Sequence, residues 1–211
     1  MKHRNSILGL IAAVSLTLRD GGAAHAQGQE VSQDVQIYAG YLFGDRLLGT
    51  PLSGSTPRLD DNGTFGARYT YHFADQWGVQ LSAGYSPNRA AHVGGGGSYL
   101  GLTTVDLDLE WDIPLNFQFA GHKLVPYSVV GAGYAWSDLN HSMSGIVAGT
   151  PVTITDGNGY SANAGLGAKY YLTDNVFIDL DGRYRYLSKV VSNFGQGMNT
   201  SETSLAVGYR F

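Results

Sequence analysis

The chain has 211 residues, a net charge of −4, thirty glycines, fourteen tyrosines and no cysteine, a length that suits one domain. The acidic balance argues against a nucleic-acid partner, and the lack of cysteine excludes both a disulfide framework and a thiolate zinc site. Past the N-terminal segment no apolar run is long enough to cross a bilayer as a helix, whereas a β-barrel, apolar only at alternate positions, stays open.

Lys2, His3 and Arg4 precede an apolar run over 7–18, and Ala24-His25-Ala26 supplies small residues before Gln27. A bilayer helix needs about 20 residues, so the run reads as the core of a signal peptide over 1–26. Arg19 and Asp20 leave the cleavage point open. Without this segment the net charge is about −6. Residues 27–33 form a short polar lead, expected in the periplasm.

From there the pattern has a period of two, the signature of strands. The first, 34–44, puts Val35, Ile37, Ala39, Tyr41 and Phe43 on one face, and a long loop over 46–61 follows. The second, 63–73, sets Phe65, Ala67, Tyr69, Tyr71 and Phe73 against Thr64, Gly66, Arg68, Thr70 and His72. A tight turn at 74–76 leads to the third, 77–86, with Trp77, Val79, Leu81, Ala83 and Tyr85 on the apolar side. A glycine-rich loop is expected over 87–98. In the fourth, 102–112, Thr103, Val105, Leu107, Leu109 and Trp111 alternate with Thr104, Asp106, Asp108, Glu110 and Asp112.

A medium connection over 113–123 contains Pro114, and the fifth strand, 124–137, is small or apolar on both faces. Placing Val130, Ala132, Tyr134 and Trp136 outward leaves Gly131 and Gly133 on the crowded side. The longest loop covers 138–158. The sixth strand, 159–172, opposes Tyr160, Ala164, Leu166 and Tyr170 to Asn163, Gly165, Gly167 and Lys169. After a turn at 173–175 the seventh, 176–187, opposes Val176, Ile178, Leu180, Tyr184 and Tyr186 to Asp179, Asp181, Arg183 and Arg185. A loop over 188–201 leads to the eighth, 202–211, with Leu205, Val207, Tyr209 and Phe211 on one face and Glu202, Ser204 and Arg210 on the other. The pattern therefore predicts an all-β, eight-stranded antiparallel up-and-down transmembrane β-barrel over 34–211.

Alternation alone leaves open which face meets lipid. The polar faces carry Arg68, Lys169, Arg183, Arg185 and Arg210 with Asp106, Asp108, Glu110, Asp179 and Asp181. Facing lipid, each Arg or Lys near the midplane would cost about 2–4 kcal/mol, so these charges belong in the lumen as paired filling or as a polar conduit. Charge pairing across the lumen from the seventh strand to the fourth is expected. The outward aromatics fall at strand ends. Phe43, Phe65, Tyr85, Trp136, Tyr160 and Tyr186 lie at the long loops, and Phe73, Trp77, Trp111, Tyr170, Tyr209 and Phe211 at the short turns. These are the expected girdles at two membrane interfaces, with long loops outside the cell and the termini periplasmic.

The closing Tyr209-Arg210-Phe211 resembles the C-terminal signal of bacterial outer-membrane β-barrels. With Phe73-Ala-Asp-Gln-Trp-Gly78 and Pro126-Tyr-Ser-Val-Val-Gly-Ala-Gly-Tyr134, the chain is similar to the small eight-stranded members of that family, outer-membrane protein W among them. The resemblance implies an integral outer-membrane protein among lipid and lipopolysaccharide, inserted by the barrel-insertion machinery through Tyr209 and Phe211. It implies either a narrow channel for small hydrophobic solutes or a structural or surface-interaction, adhesin-like barrel acting through its external loops. A lipid-modifying enzyme is the third alternative. His92 and His141 lie in external loops near Ser98, Ser137 and Ser142, but their spacing matches no acyl-transfer motif. No catalytic residue, metal or cofactor is expected. The glycines 94–97 read as a loop tip, and His72 as an inward hydrogen-bonded filler.

Overall fold

The computed structural model describes residues 32–211 except 50, 55, 92–97, 116, 148 and 193–195. The expected signal segment 1–26, the lead as far as residue 31, His92 and the glycines 94–97 lie outside the described residues. Eight long strands form one closed antiparallel barrel: β1 Ser32–Phe43, β2 Asn62–Ala74, β3 Trp77–Ala91, β4 Ser98–Asp112, β5 His122–Leu139, β6 Asn158–Tyr171, β7 Val176–Leu187 and β8 Met198–Arg210. Each pairs with the next, and β8 returns to β1 from Asp34↔Arg210 to Phe43↔Ser201. Closure leaves the barrel wall no unpaired edge.

Following directly opposed residues around the wall, from Gln33 through Tyr71, Val79, Leu109, Val130, Ala164, Tyr184 and Ser201, returns to β1 at Phe43, a shear of ten residues. With eight strands this shear tilts each strand by about 40° and leaves a lumen that side chains can fill. The alternation sets which side chains those are. Val35, Ile37, Leu107, Val130, Leu166, Leu180, Leu205 and Val207 are exposed on the outside, while Asp34, Gln36, Arg68, Asp106, Asp108 and Lys169 are buried within. On β5 the outward set is Val130, Ala132, Tyr134 and Trp136, and Gly131 and Gly133 face inward.

Several strands run beyond the expected limits. β3 continues to Ala91 instead of ending at 86, β4 starts at Ser98 instead of 102, β5 spans His122–Leu139 instead of 124–137, and β8 starts at Met198 instead of 202. Beyond the lipid band an outward side chain no longer has to be apolar, as at Arg89, yet the pairing continues, as in Arg89↔Tyr99. The period-two signal therefore stops before the strand does. Two connections expected as loops also carry structure. Phe117–Phe119 pairs with the start of β5, and Met143–Val147 with Thr150–Ile154 forms a hairpin inside the longest loop.

The long loops fold over the barrel mouth. Leu47, Leu48, Leu52 and Leu59 from the first loop, Met143 and Ile154 from the hairpin, and Val190 and Val191 from the last loop pack on Leu42, Leu100, Leu102, Leu187 and Met198 at the strand ends. Backbone pairing ties the pieces together. Ser53 N donates to Ile146 O at 2.8 Å, and Ser192 N to Thr155 O at 3.0 Å. The result is an apolar roof over a polar interior.

At Gly131 an added Cβ would lie 2.6 Å from the Leu107 carbonyl oxygen and 2.7 Å from Asp108 Cα, both backbone atoms that cannot give way. Gly131→Val is therefore expected to cost about 1–3 kcal/mol through overpacking. A lowered urea midpoint for the refolded barrel is the expected reading, and an unchanged midpoint would refute the close approach.

Candidate functional site

The inward faces stack their charges in three layers. At the end with the short turns, Asp34 of β1, His72 of β2, Glu110 and Asp112 of β4, Lys169 of β6 and Arg210 of β8 meet. Arg210 grips both Asp34 oxygens, with Nε at 2.6 Å and Nη2 at 2.8 Å. Lys169 Nζ donates to Asp34 at 2.9 Å and to Glu110 at 2.5 Å, and no part of Lys169 reaches solvent. His72 Nε2 stands 3.0 Å from Asp34 Oδ2 and 3.0 Å from Arg210 Nη2. The first contact needs a proton on that nitrogen and the second a lone pair, so the tautomer selects between them.

In the middle layer Arg68 donates to Asp181 at 2.9 Å and to Ser204 at 2.8 Å. Arg183 reaches three partners, Asp181 at 2.9 Å, Asp108 at 2.7 Å and Gln80 Oε1 at 2.5 Å. The Tyr127 hydroxyl lies 2.9 Å from Asp179 Oδ2 and 3.0 Å from Asp181 Oδ2, so one proton is shared between two carboxylates. In the upper layer Arg185 bridges Asp106 at 2.9 Å and Glu202 at 3.2 Å. Ser161 and Asn163 donate to Asp106 and Asp108.

Buried carboxylates outnumber the fixed cations here, and neutral donors supply the difference: Tyr127, Ser161, Asn163 and Gln80 each face a carboxylate. A desolvated charge is tolerable only when paired and hydrogen-bonded. Lys169 and Arg183 meet that condition with every partner named above, whereas Asp112 Oδ1, Glu202 Oε1, Arg185 Nε and two nitrogens of Arg68 are buried without a hydrogen bond.

The structure thus places Arg68, Asp106, Asp108, Glu110, Lys169, Asp179, Asp181, Arg183 and Arg185 inside, with Arg210 a fifth exposed at the lower rim. Arg183 and Arg185 cross from β7 to Asp108 and Asp106 on β4, while Asp179 and Asp181 turn to Arg68 on β2. Reasoning from sequence left Asp34, Glu202, Gln80 and Tyr127 out of the charged interior. Asp34 and Glu202 sit on the inward parity of their strands, opposite Arg210 and Arg183 in register, so the alternation carried the signal for both. Tyr127 lies on the strand whose two faces look alike.

Ligand atoms of Asp34, His72 and Glu110 lie within 4.8 Å of one another, which is metal-site spacing. The ammonium of Lys169 and the guanidinium of Arg210 already bind those carboxylates, so the cluster is an ion-pair node. At the long-loop end of the barrel Ser98 and Ser137, expected beside loop histidines, lie within β4 and β5, and Ser98 Oγ donates to the His141 backbone oxygen at 2.9 Å and not to its ring. Ser137 is taken up by the carbonyls of Gly157 and Val190. Among the described residues no serine hydroxyl bonds a histidine ring.

On the outside, Phe43, Phe65, Phe73, Trp77, Tyr160, Tyr186, Tyr209 and Phe211 are exposed, and Tyr85, Trp111, Trp136 and Tyr170 are half-buried against neighbouring rings and strands. Trp77 stacks on Trp111 at 6.1 Å, and Phe65 meets Tyr85 edge-on at 5.6 Å. On β3 alone, Trp77 and Tyr85 are about 26 Å apart along the strand, or roughly 20 Å along the axis after tilt.

A closed barrel with ion pairs inside and aliphatic side chains outside is inverted relative to a water-soluble protein, and defines a transmembrane β-barrel of the bacterial outer membrane. The chain belongs to the outer membrane protein beta-barrel domain family, which matches residues 10–211. Among solved structures it is similar to Neisserial surface protein A, with 14% identity and a TM-score of 0.55 over 88% of this chain and 100% of that one. The outer membrane protein OprG from Pseudomonas aeruginosa aligns at 17% identity and a TM-score of 0.50 over 84% of this chain and 95% of that one. The outer membrane protein AlkL, solved in lipid bilayers, aligns at 17% identity and a TM-score of 0.50 over 92% and 97%. At these identities the likeness concerns the fold. No curated protein matches the chain.

Removing one member of the network strands the others. Arg183→Ala leaves Asp108 and Asp181 short of a cation and is expected to cost about 3–5 kcal/mol, measured by urea unfolding of the refolded barrel. A midpoint equal to that of the parent would show that the pairs are not what holds the lumen together.

Proposed function

We propose that the protein is a non-conducting, non-catalytic barrel whose activity resides in the loop assembly it holds at the cell surface. One observation carries this reading: bonded charges cross the lumen at three successive levels. A solute following the axis would meet the lower layer, where Asp34, Glu110 and Lys169 are wholly buried and bonded to one another. It would then meet the layers of Arg183 and Arg185, and finally the roof of Leu47, Leu48, Leu52 and Leu59. Parting a buried pair costs about 3–5 kcal/mol, and a conduit would have to part several.

In this reading the long loops face outward and the short turns face the periplasm, as the class disposes them. The two aromatic bands anchor the barrel at the interfaces, and the strand that carries Tyr209 and Phe211 on its lipid face is the segment read by the insertion machinery. A second reading, uptake of a small hydrophobic solute, draws support from the leucine-rich roof, which would dissolve an apolar molecule at the mouth.

Purified protein refolded into planar bilayers is expected to give no unitary conductance steps. Discrete, reproducible steps would overturn the non-conducting reading. Faster uptake of an apolar dye by reconstituted vesicles, without conductance, would favour the second.

A further inference from the structure

The connection between β4 and β5 differs from the other two turns at its end of the barrel. The turn at Asp75-Gln76 and that at Thr173-Asp174-Asn175 are polar. Between β4 and β5 the chain instead presents Leu115, Phe117 and Phe119, with Phe119 exposed to 69%. Phe117 pairs with Leu124 and Phe119 with His122, and Leu124 in turn pairs with Tyr170 on β6. Opposed residues in an antiparallel ladder point to the same face, so Phe117, Phe119 and His122 continue the outward, lipid-facing side of the sheet through Leu124 and Tyr170. Ring contacts agree. Phe119 meets Tyr170 edge-on at 6.3 Å, His122 lies 5.4 Å from the same ring, and the Tyr170 hydroxyl donates to the Phe119 carbonyl at 3.3 Å.

The hairpin is also held stiffly. Its two-residue turn has Ala120 at φ 51° and Gly121 at φ 81°. Two successive positive φ values give the twist that joins short strands directly, and Ala120 adopts there a conformation that a Cβ disfavours. The Phe119–His122 pair projects two residues past Tyr170, roughly 5 Å along the axis. That offset fits within the headgroup zone of one leaflet, about 5–7 Å thick.

We infer that the hairpin of Phe117–Phe119 and the first residues of β5 is an interfacial foot, whose aromatic face lies in the headgroup zone of the periplasmic leaflet and anchors one side of the barrel deeper than the other. The occupant of this face is phospholipid. Three observations support it: the face continues the lipid-exposed wall without a step, it is apolar where the neighbouring turns are polar, and its depth matches the headgroup layer.

The chain has no cysteine, so Phe119→Cys, Asp75→Cys and Leu107→Cys each create one site for a nitroxide label in protein refolded into phospholipid bilayers. The ratio of collisions with oxygen to collisions with a water-soluble nickel chelate is expected to be several-fold higher at 119 than at the polar turn position 75, and to approach that at Leu107 on the lipid wall. A ratio at 119 equal to that at 75 would place the hairpin in water and overturn the inference. Shielding from both reagents would overturn it in favour of a protein partner or a second copy. Phe117→Cys, on the same face, gives the same test if the first variant fails to refold.

Discussion

The structure depends on keeping buried charges paired inside a wall that closes on itself. Eight strands with a shear of ten leave an interior too narrow for bulk water yet obliged to take every second side chain. Hydrocarbon on the outside claims the apolar set, so the polar set has no alternative to the lumen. There the cations and carboxylates either satisfy one another or forbid the fold. Arg183 shows how tightly this is arranged, with one guanidinium joining β7 to β4 and β3 through Asp108 and Gln80 and clasping Asp181 on its own strand.

Room for these long side chains comes from small inward residues. A Cβ at Gly208 or Gly167 would collide with the ring of Phe177 or Tyr127, and both rings border Lys169 at cation–π distance, 5.7 Å and 5.2 Å. The lower ammonium is therefore packed against aromatic faces as well as carboxylates, which offsets part of its desolvation. The roof does the opposite kind of work. Where the ionic layers end, aliphatic side chains from three loops pack together and close the mouth from above.

Much of this was legible in the sequence because period two survives wherever one face meets hydrocarbon and the other meets charge. Leu107 between Asp106 and Asp108, and Leu180 between Asp179 and Asp181, leave no doubt about parity. The number of strands followed from the same rule, whereas β5, small or apolar on both faces, is placed only by putting Gly131 and Gly133 on the crowded side. The partners inside did not follow. Alternation says that Asp181 points inward, but only the shear brings Arg68 of β2 to it across the lumen. The roof was equally hidden, since Leu47, Leu48 and Leu52 sit in a stretch rich in glycine, proline and serine that reads as open loop. The strand at Phe117–Phe119 was lost because it is three residues long and follows a proline.

One bond in the roof has a consequence for how the surface of this protein can change. Ser53 and Ile146 belong to different loops, yet they exchange hydrogen bonds through the Ser53 amide and hydroxyl and the Ile146 main chain, over the Leu52 side chain that fills the space beside Gly145. The two loops therefore change together: a side chain at Gly145 would run into Leu52 and has to be matched in the first loop, while at Gly149, in open space, only the left-handed φ of 83° stands in the way of one.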